Sequence, residues 1–194
     1  MSATACHVCC IVLFINNIID IFSDSSCVCK LFADDAKIYA TLDINDDGVK
    51  LSDKLECVEK WCSEWQLSIS VKKCAVMHIH IGNKITGAAP SFAIGSSALP
   101  VDHVKDLGVI IDEQLKFYLH INHVVASAFT RANLILKCFT SRHVRTLLRA
   151  FKTYVLPVIA YASSVWSPHY AAVIRKVERV QRKFTKRVSW AAAS

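Results

Sequence analysis

Leu31-Phe32-Ala33-Asp34-Asp35-Ala36-Lys37-Ile38-Tyr39 sets two adjacent acids between apolar residues of high strand propensity. Strand, tight turn, strand is the direct reading, with residues 28 to 33 and 36 to 41 as the two arms of a hairpin. Side chains alternate faces along a strand, so Asp34 and Asp35 share a direction only if the turn between them bends the backbone. One carboxylate would then bind a divalent ion directly while its neighbour supports it. Hard cations such as Mg²⁺ take oxygen ligands and use carboxylates together with substrate phosphates, as in two-metal nucleotidyl transfer. An ordinary acidic turn is the competing reading, and the surroundings of the pair have to decide.

Those surroundings follow an ordered pattern. Leu13-Phe14-Ile15-Asn16-Asn17-Ile18 precedes the hairpin, and Trp61-Cys62-Ser63-Glu64-Trp65-Gln66-Leu67-Ser68-Ile69-Ser70-Val71-Lys72-Lys73-Cys74 follows it. Next come Val104-Lys105-Asp106-Leu107-Gly108-Val109-Ile110-Ile111-Asp112 and Tyr154-Val155-Leu156-Pro157-Val158-Ile159-Ala160-Tyr161-Ala162-Ser163-Ser164-Val165-Trp166-Ser167-Pro168. In this order, the blocks resemble the reverse transcriptases of non-LTR (LINE-type) retrotransposons over residues 11 to 188. The resemblance implies an α+β fold: a partial palm, made of a small antiparallel sheet with helices, followed by an all-α thumb and helical extension. It implies RNA-directed DNA polymerase chemistry, with Asp34 and Asp35 as metal ligands for Mg²⁺ and Lys73 near the nucleotide phosphates. A lysine there would protonate or neutralise the leaving pyrophosphate. Ser70 departs from the family's usual asparagine, and an exposed basic residue at a turn is the plain alternative for Lys73. Leu107 and Gly108 fall in the block resembling the primer grip, where glycine lets backbone approach a partner closely; Gly108 as a simple bulge is the structural alternative.

The same resemblance shows what is missing. A further palm aspartate and a Pro-Gln-Gly-Ser loop complete the family's site, yet only 33 residues precede Asp34 and Met1 to Cys10 match neither element. Asp20 and Asp24 lie where the family has a helix and loop. Two-metal displacement needs ligands that bridge both ions. The expectation is therefore a truncated enzyme, inactive alone, whose palm and fingers would have to come from a complete element. A non-catalytic, sequence-independent nucleic-acid-binding remnant is the alternative. The upstream endonuclease domain of such elements has no counterpart here.

Charge divides the chain into two expected domains, 1–113 and 114–194. The first holds about 9 basic and 15 acidic side chains and the second about 14 and 1, so the formal +7 belongs to the C-terminal part. Such a basic domain suits a phosphate backbone, whose counterions are released on binding. Within 169–188, Ile174, Val177, Phe184 and Val188 mark an apolar face. Arg175, Lys176, Arg179, Arg182, Lys183 and Lys186 lie opposite it, as a stripe for an RNA template and DNA primer duplex. Membranes and calmodulin-like partners also accept basic amphipathic helices; the position after a thumb-like block favours duplex, read through backbone and shape.

Mean hydropathy of +0.34 and a hydrophobic fraction of 53% lie on the apolar side for a globular domain, as faces cut away from packing partners would be. Nine cysteines and the lack of a charged leader at Met1 to His7 fit a reduced, intracellular compartment, nuclear or cytoplasmic. A zinc site from Cys6-His7-Val8-Cys9 and Cys27-Val28-Cys29 has poor spacing, and Cys62 and Cys74 read as small core residues. The apolar run Val8 to Phe22 is interrupted by Asn16, Asn17 and Asp20 and is too short to cross a membrane.

The remaining periodicities predict helix over 11–22, a helix beginning at Asp46-Asp47-Gly48, and a buried stripe of Leu51, Leu55, Val58, Cys62 and Trp65 with Trp61 at its flank. Alternation predicts a strand returning to the sheet over 66–81, and Gly95-Ser96-Ser97 a short hairpin turn. Beyond Gln114, helices are expected over 119–139, 142–155, 157–165 and 169–188, punctuated by Ser141, Pro157 and Pro168.

Overall fold

The computed structural model describes residues 15–23, 26–42, 48–79, 90–95, 97–98, 100–140 and 143–193. The chain is α+β. Among the described residues three two-stranded antiparallel sheets are accompanied by helices, and those after residue 117 form helices joined by short connections. It divides into two compact units, residues 1–101 and 102–194.

In the first unit, β1 (Cys27–Phe32) pairs with β2 (Asp35–Ala40) through the register Cys27↔Ala40 to Phe32↔Asp35. Alternation assigns the faces. Cys27, Cys29, Leu31, Ile38 and Ala40 face a core with Ile18, Phe22, Val58 and Cys62. Val28, Lys30, Phe32, Asp35 and Tyr39 are exposed on the other face. Burial raises the Cys29 thiol above its ordinary range, which suits a packed hydrophobe rather than a metal ligand. Cys6, His7 and Cys9 of the weighed zinc set lie outside the described residues.

Helix α1 (Val49–Glu64) closes this core. Its start depends on Gly48, where φ is +75° and a β-carbon would lie 2.7 Å from the buried Phe92 ring. Only glycine meets both demands. Lys54 donates to the carbonyl of Ile21 at 2.6 Å, and Glu59 accepts from the Gly95 N–H in the turn between β3 (Ala93–Ile94) and β4 (Ser97–Ala98). The expected stripe is displaced at its end: Trp61 packs on the core while Trp65 is exposed, their rings 5.8 Å apart. The Trp65 N–H still bonds Trp61 O, but Gln66 takes a positive φ and the chain turns away there.

The helix expected over 11–22 is found, as a 3-10 helix, at Asn16–Phe22; residues 11–14, Asp46 and Asp47 fall outside the described residues. One expectation for this unit is corrected: the stretch 67–79 forms no paired strand. Leu67, Ile69 and Val71 do alternate inward, but the chain then tightens into the 3-10 turn Val71–Lys73, with one parallel bridge, Val76↔Pro100, beyond it. Alternation reports a buried face. It does not supply a ladder partner.

The second unit opens with β5 (His103–Asp106) and β6 (Val109–Asp112), joined by Leu107 and Gly108. Both turn residues have positive φ, 44° and 86°, the signs of a type I′ hairpin turn, so Gly108 is a turn residue and not a bulge. Helices α2 (Tyr118–Cys138), α3 (Val144–Tyr154), α4 (Leu156–Ala160), α5 (Ser163–Trp166) and α6 (Ala171–Ala193) follow. Their shared core centres on Ala128, Leu147, Phe151, Val155, Trp166, Val180 and Phe184. Phe151 and Phe184 meet at 4.6 Å between ring centroids. The single helix expected over 157–165 is broken at Tyr161 and Ala162. The Tyr161 carbonyl accepts from the Trp166 indole at 2.8 Å, and Ala162 takes a φ of 50°. Trp166 is thereby drawn inward to 3% exposure.

Candidate functional site

Asp34 and Asp35 stand at the tip of the first hairpin because the register closes at Phe32↔Asp35, which leaves Ala33 and Asp34 as a two-residue turn. Ala33 carries a φ of 54°, an uncommon conformation for a residue with a β-carbon. That bend separates the two acids: Asp34 lies in the turn, and Asp35 begins β2 on the face of Phe32. Both are exposed. Their oxygens are hard donors suited to a divalent cation. Among the described residues no group of three or more His, Cys, Asp or Glu side chains is placed to hold a metal ion, so the pair is a partial ligand set. Lys73 is exposed at the end of the Val71–Lys73 turn in the same unit.

The second unit carries a different surface. Leu107 and Gly108 form the exposed tip of its hairpin, held from behind by Tyr161, whose hydroxyl donates to the Leu107 carbonyl at 2.7 Å. A β-carbon on Gly108 would touch the Tyr161 ring at 3.4 Å. The hairpin also docks through His120, a fully buried side chain whose Nδ1 accepts from the Ile110 N–H at 3.2 Å and whose Nε2 has no hydrogen-bond partner among the described residues. The Trp166 indole and the imidazole meet in a T-shaped contact, with ring centroids 5.4 Å apart. Burial, reinforced by neighbouring His123, lowers the pKa of His120.

On α6, Val173, Val177, Val180, Phe184 and Val188 make the packed face. Ile174, expected there, is 39% exposed, and fully buried Val180 takes the place. The 3.6-residue repeat points to the Val180 side once Val188 and Phe184 are fixed as anchors.

The cations of α6 are exposed, and several are steadied by α2. Lys176 donates to Asn122 Oδ1 at 2.6 Å, Arg187 donates to Asn133 Oδ1 at 2.8 Å, and Lys183 lies 5.3 Å from the Phe129 ring centroid. Arg175 bonds back to the Ala171 carbonyl, and Arg182 sits 3.6 Å from Glu178, the only acid after residue 113. Arg187 was not among the residues singled out from sequence. It neighbours the packed Phe184 and Val188, and only the amide of Asn133 shows that its head stays at the surface.

Comparison with known proteins points to one family. Reverse transcriptase (RNA-dependent DNA polymerase) is the family description that matches, over residues 8–111, more than half of the chain. An uncharacterized protein of Caenorhabditis elegans is 31% identical over 85 residues, covering 44% of this chain and 43% of that protein. The RNA-directed DNA polymerase from mobile element jockey of Drosophila funebris is 28% identical over 145 residues, 73% of this chain and 16% of that protein. No solved structure matches. The chain thus spans less than half the length of either relative, while the matched segment contains the acidic hairpin, Lys73 and the Leu107-Gly108 turn. On the extent of that match, the chain belongs to the reverse transcriptase family.

Proposed function

We propose that this chain is part of the RNA-directed DNA polymerase of a non-LTR retrotransposon: residues 1–113 are partial palm, carrying the acidic hairpin and the primer-grip-like hairpin, and residues 114–194 are thumb and extension, which hold a template-primer duplex. The observation that carries this reading is the exposed Asp34-Asp35 pair at a two-residue hairpin tip inside the family-matched segment. Reverse transcriptases use a divalent metal and act on nucleic-acid template and primer. Asp34 and Asp35 are the residues that would hold Mg²⁺ here, and when bound such an ion stabilises the charge of the attacking and leaving oxygens in phosphoryl transfer. Lys73 supplies positive charge toward the nucleotide phosphates. Leu107 and Gly108, braced by Tyr161, offer backbone to the primer end. Arg175, Lys176, Arg179, Arg182, Lys183 and Lys186 bind duplex phosphates without reading sequence. The setting is intracellular, nuclear or cytoplasmic; among the described residues no helix is long and apolar enough to cross a membrane.

Among the described residues Asp34 and Asp35 are a partial ligand set, and in this reading two-metal chemistry requires further carboxylate ligands beside them. One observation favours a second reading, a non-catalytic nucleic-acid-binding remnant: the partners that steady Lys176, Lys183 and Arg187, namely Asn122, Phe129 and Asn133, lie within the second unit itself. Replacing Asp34 and Asp35 together by Asn, with Mn²⁺-induced line broadening and duplex binding measured on each protein, separates the two. In the polymerase reading, broadening centred on Ala33 to Ala36 in the wild type disappears in the variant. Duplex binding persists in both proteins and falls with salt at about 0.9 log units per phosphate contacted for each log unit of salt. Equal broadening in both proteins leaves only the remnant reading. Loss of duplex binding, or salt-insensitive binding, removes the thumb assignment as well.

A further inference from the structure

The groove between α2 and α6 has an apolar floor and an exposed indole that duplex binding does not use. It has a volume of about 370 Å³, within the range of small-ligand sites. Its floor is apolar, built from Phe129, Leu136 and Phe184, and Trp190 stands at its wall with 65% of its surface exposed. Lys183, Lys186 and Arg187 line it too, and no carboxylate does.

What holds those cations is informative. Lys183 lies over the Phe129 ring at 5.3 Å, Lys186 over the Trp190 ring at 5.1 Å, and Arg187 against the Asn133 amide oxygen at 2.8 Å. Each partner is neutral. Among the described residues no ion pair neutralises these three side chains, and Glu178, the only acid after residue 113, is paired with Arg182. A free inorganic anion would satisfy the rim but gain nothing from the floor. A duplex would meet the rim with its phosphates while its bases remain stacked inside. The ligand that fits both is a planar apolar group carried on a chain of phosphates.

We propose that this groove takes an unpaired base of a single-stranded nucleic acid, stacked on Trp190, with the flanking phosphates on Lys183, Lys186 and Arg187. Aromatic stacking tolerates any base, because every base has a π-face, and combines with cationic backbone contacts in single-strand sites generally. Lys186 leaves the indole face for a phosphate as the base arrives. The inference rests on the nucleic-acid-binding reading of the second unit and narrows it: this helix pair distinguishes single strand from duplex.

The test uses the full chain with fluorescence anisotropy of a labelled oligouridylate, a duplex of equal length, and an abasic strand of equal charge. Trp190→Ala should weaken oligouridylate binding by about five- to a hundredfold and leave duplex binding unchanged, whereas Trp190→Phe restores most of the loss. The abasic strand should bind the wild type as weakly as oligouridylate binds Trp190→Ala. Equal oligouridylate binding by wild type and Trp190→Ala, or abasic binding as tight as oligouridylate, overturns the inference while duplex binding leaves the thumb assignment standing. Absence of both single-strand and duplex binding removes both. Binding to phosphatidylserine vesicles without binding to any oligonucleotide assigns the groove to a membrane surface and overturns it too. Matching circular dichroism of the three proteins secures the comparison.

Discussion

Lowering the pH should destabilise the second unit through one side chain, His120. It is 2% exposed, its Nδ1 accepts from the Ile110 N–H, and its Nε2 has no partner among the described residues. With Nδ1 accepting, the imidazole is neutral and its proton sits on Nε2. Protonation would place a positive charge in the core and turn Nδ1 into a second donor facing the Ile110 N–H. Burial, with His123 adding to it, holds the group below its ordinary value of 6.5. As pH falls, the unfolded chain therefore takes up this proton before the folded one. Stability is whole above about pH 6.5, declines as pH drops toward the folded-state value, and levels off beneath it. The steepest decline is about 1.4 kcal/mol per pH unit for one group. His120→Asn supplies the control. Its amide oxygen can accept from Ile110 and does not titrate, at a pH-independent cost of about 1–3 kcal/mol for the lost ring packing and contact with Trp166. Urea unfolding followed by tryptophan emission at several pH values measures both proteins. The wild type should be the more stable at pH 7, and the gap should narrow steadily below pH 6.5. Parallel profiles for the two proteins across that window would refute the coupling of His120 to folding.

Other outcomes follow from the packing. Phe184→Ala should cost about 3–5 kcal/mol, because a side chain 2% exposed leaves a cavity beside Phe151; chemical denaturation measures it. Gly108→Ala should cost about 1–2 kcal/mol from its positive φ and its contact with Tyr161, seen as a lower Tm without loss of helical circular dichroism.

The acidic hairpin was legible because its pattern is local. Its arms were expected at 28–33 and 36–41 and lie at Cys27–Phe32 and Asp35–Ala40, since alternation and a tight turn depend on neighbours in sequence. The long helices were legible for the same reason, with prolines and periodicity marking their spans. Elsewhere the deciding contact was distant. Residues 67–71 alternate like a strand, yet whether they pair depends on a partner that alternation does not name. The break at Tyr161 arises from two hydrogen bonds, one to Leu107 and one from Trp166, of which the first spans 54 residues. His120 reads from sequence as one of a pair three apart; its burial under Ile110 and beside Trp166 is a tertiary fact. The groove beside Trp190 also needed the fold, because its floor and walls come from two helices some fifty residues apart.

Each described sheet is a hairpin of neighbouring strands, and two of the three close through turns of two residues, Ala33-Asp34 and Leu107-Gly108. This feature has a kinetic consequence. Among the described residues, apart from the bridge between Val76 and Pro100, no strand waits for a distant partner. Hairpins of this kind close in about 1–10 μs, and helices form faster still. Side-chain docking between elements distant in sequence is then the slow event: the inner face of the first hairpin onto α1, and α6 onto α2. Each unit should consequently acquire its secondary structure while still emerging from the ribosome, with its cooperative core completed only when its last helix arrives.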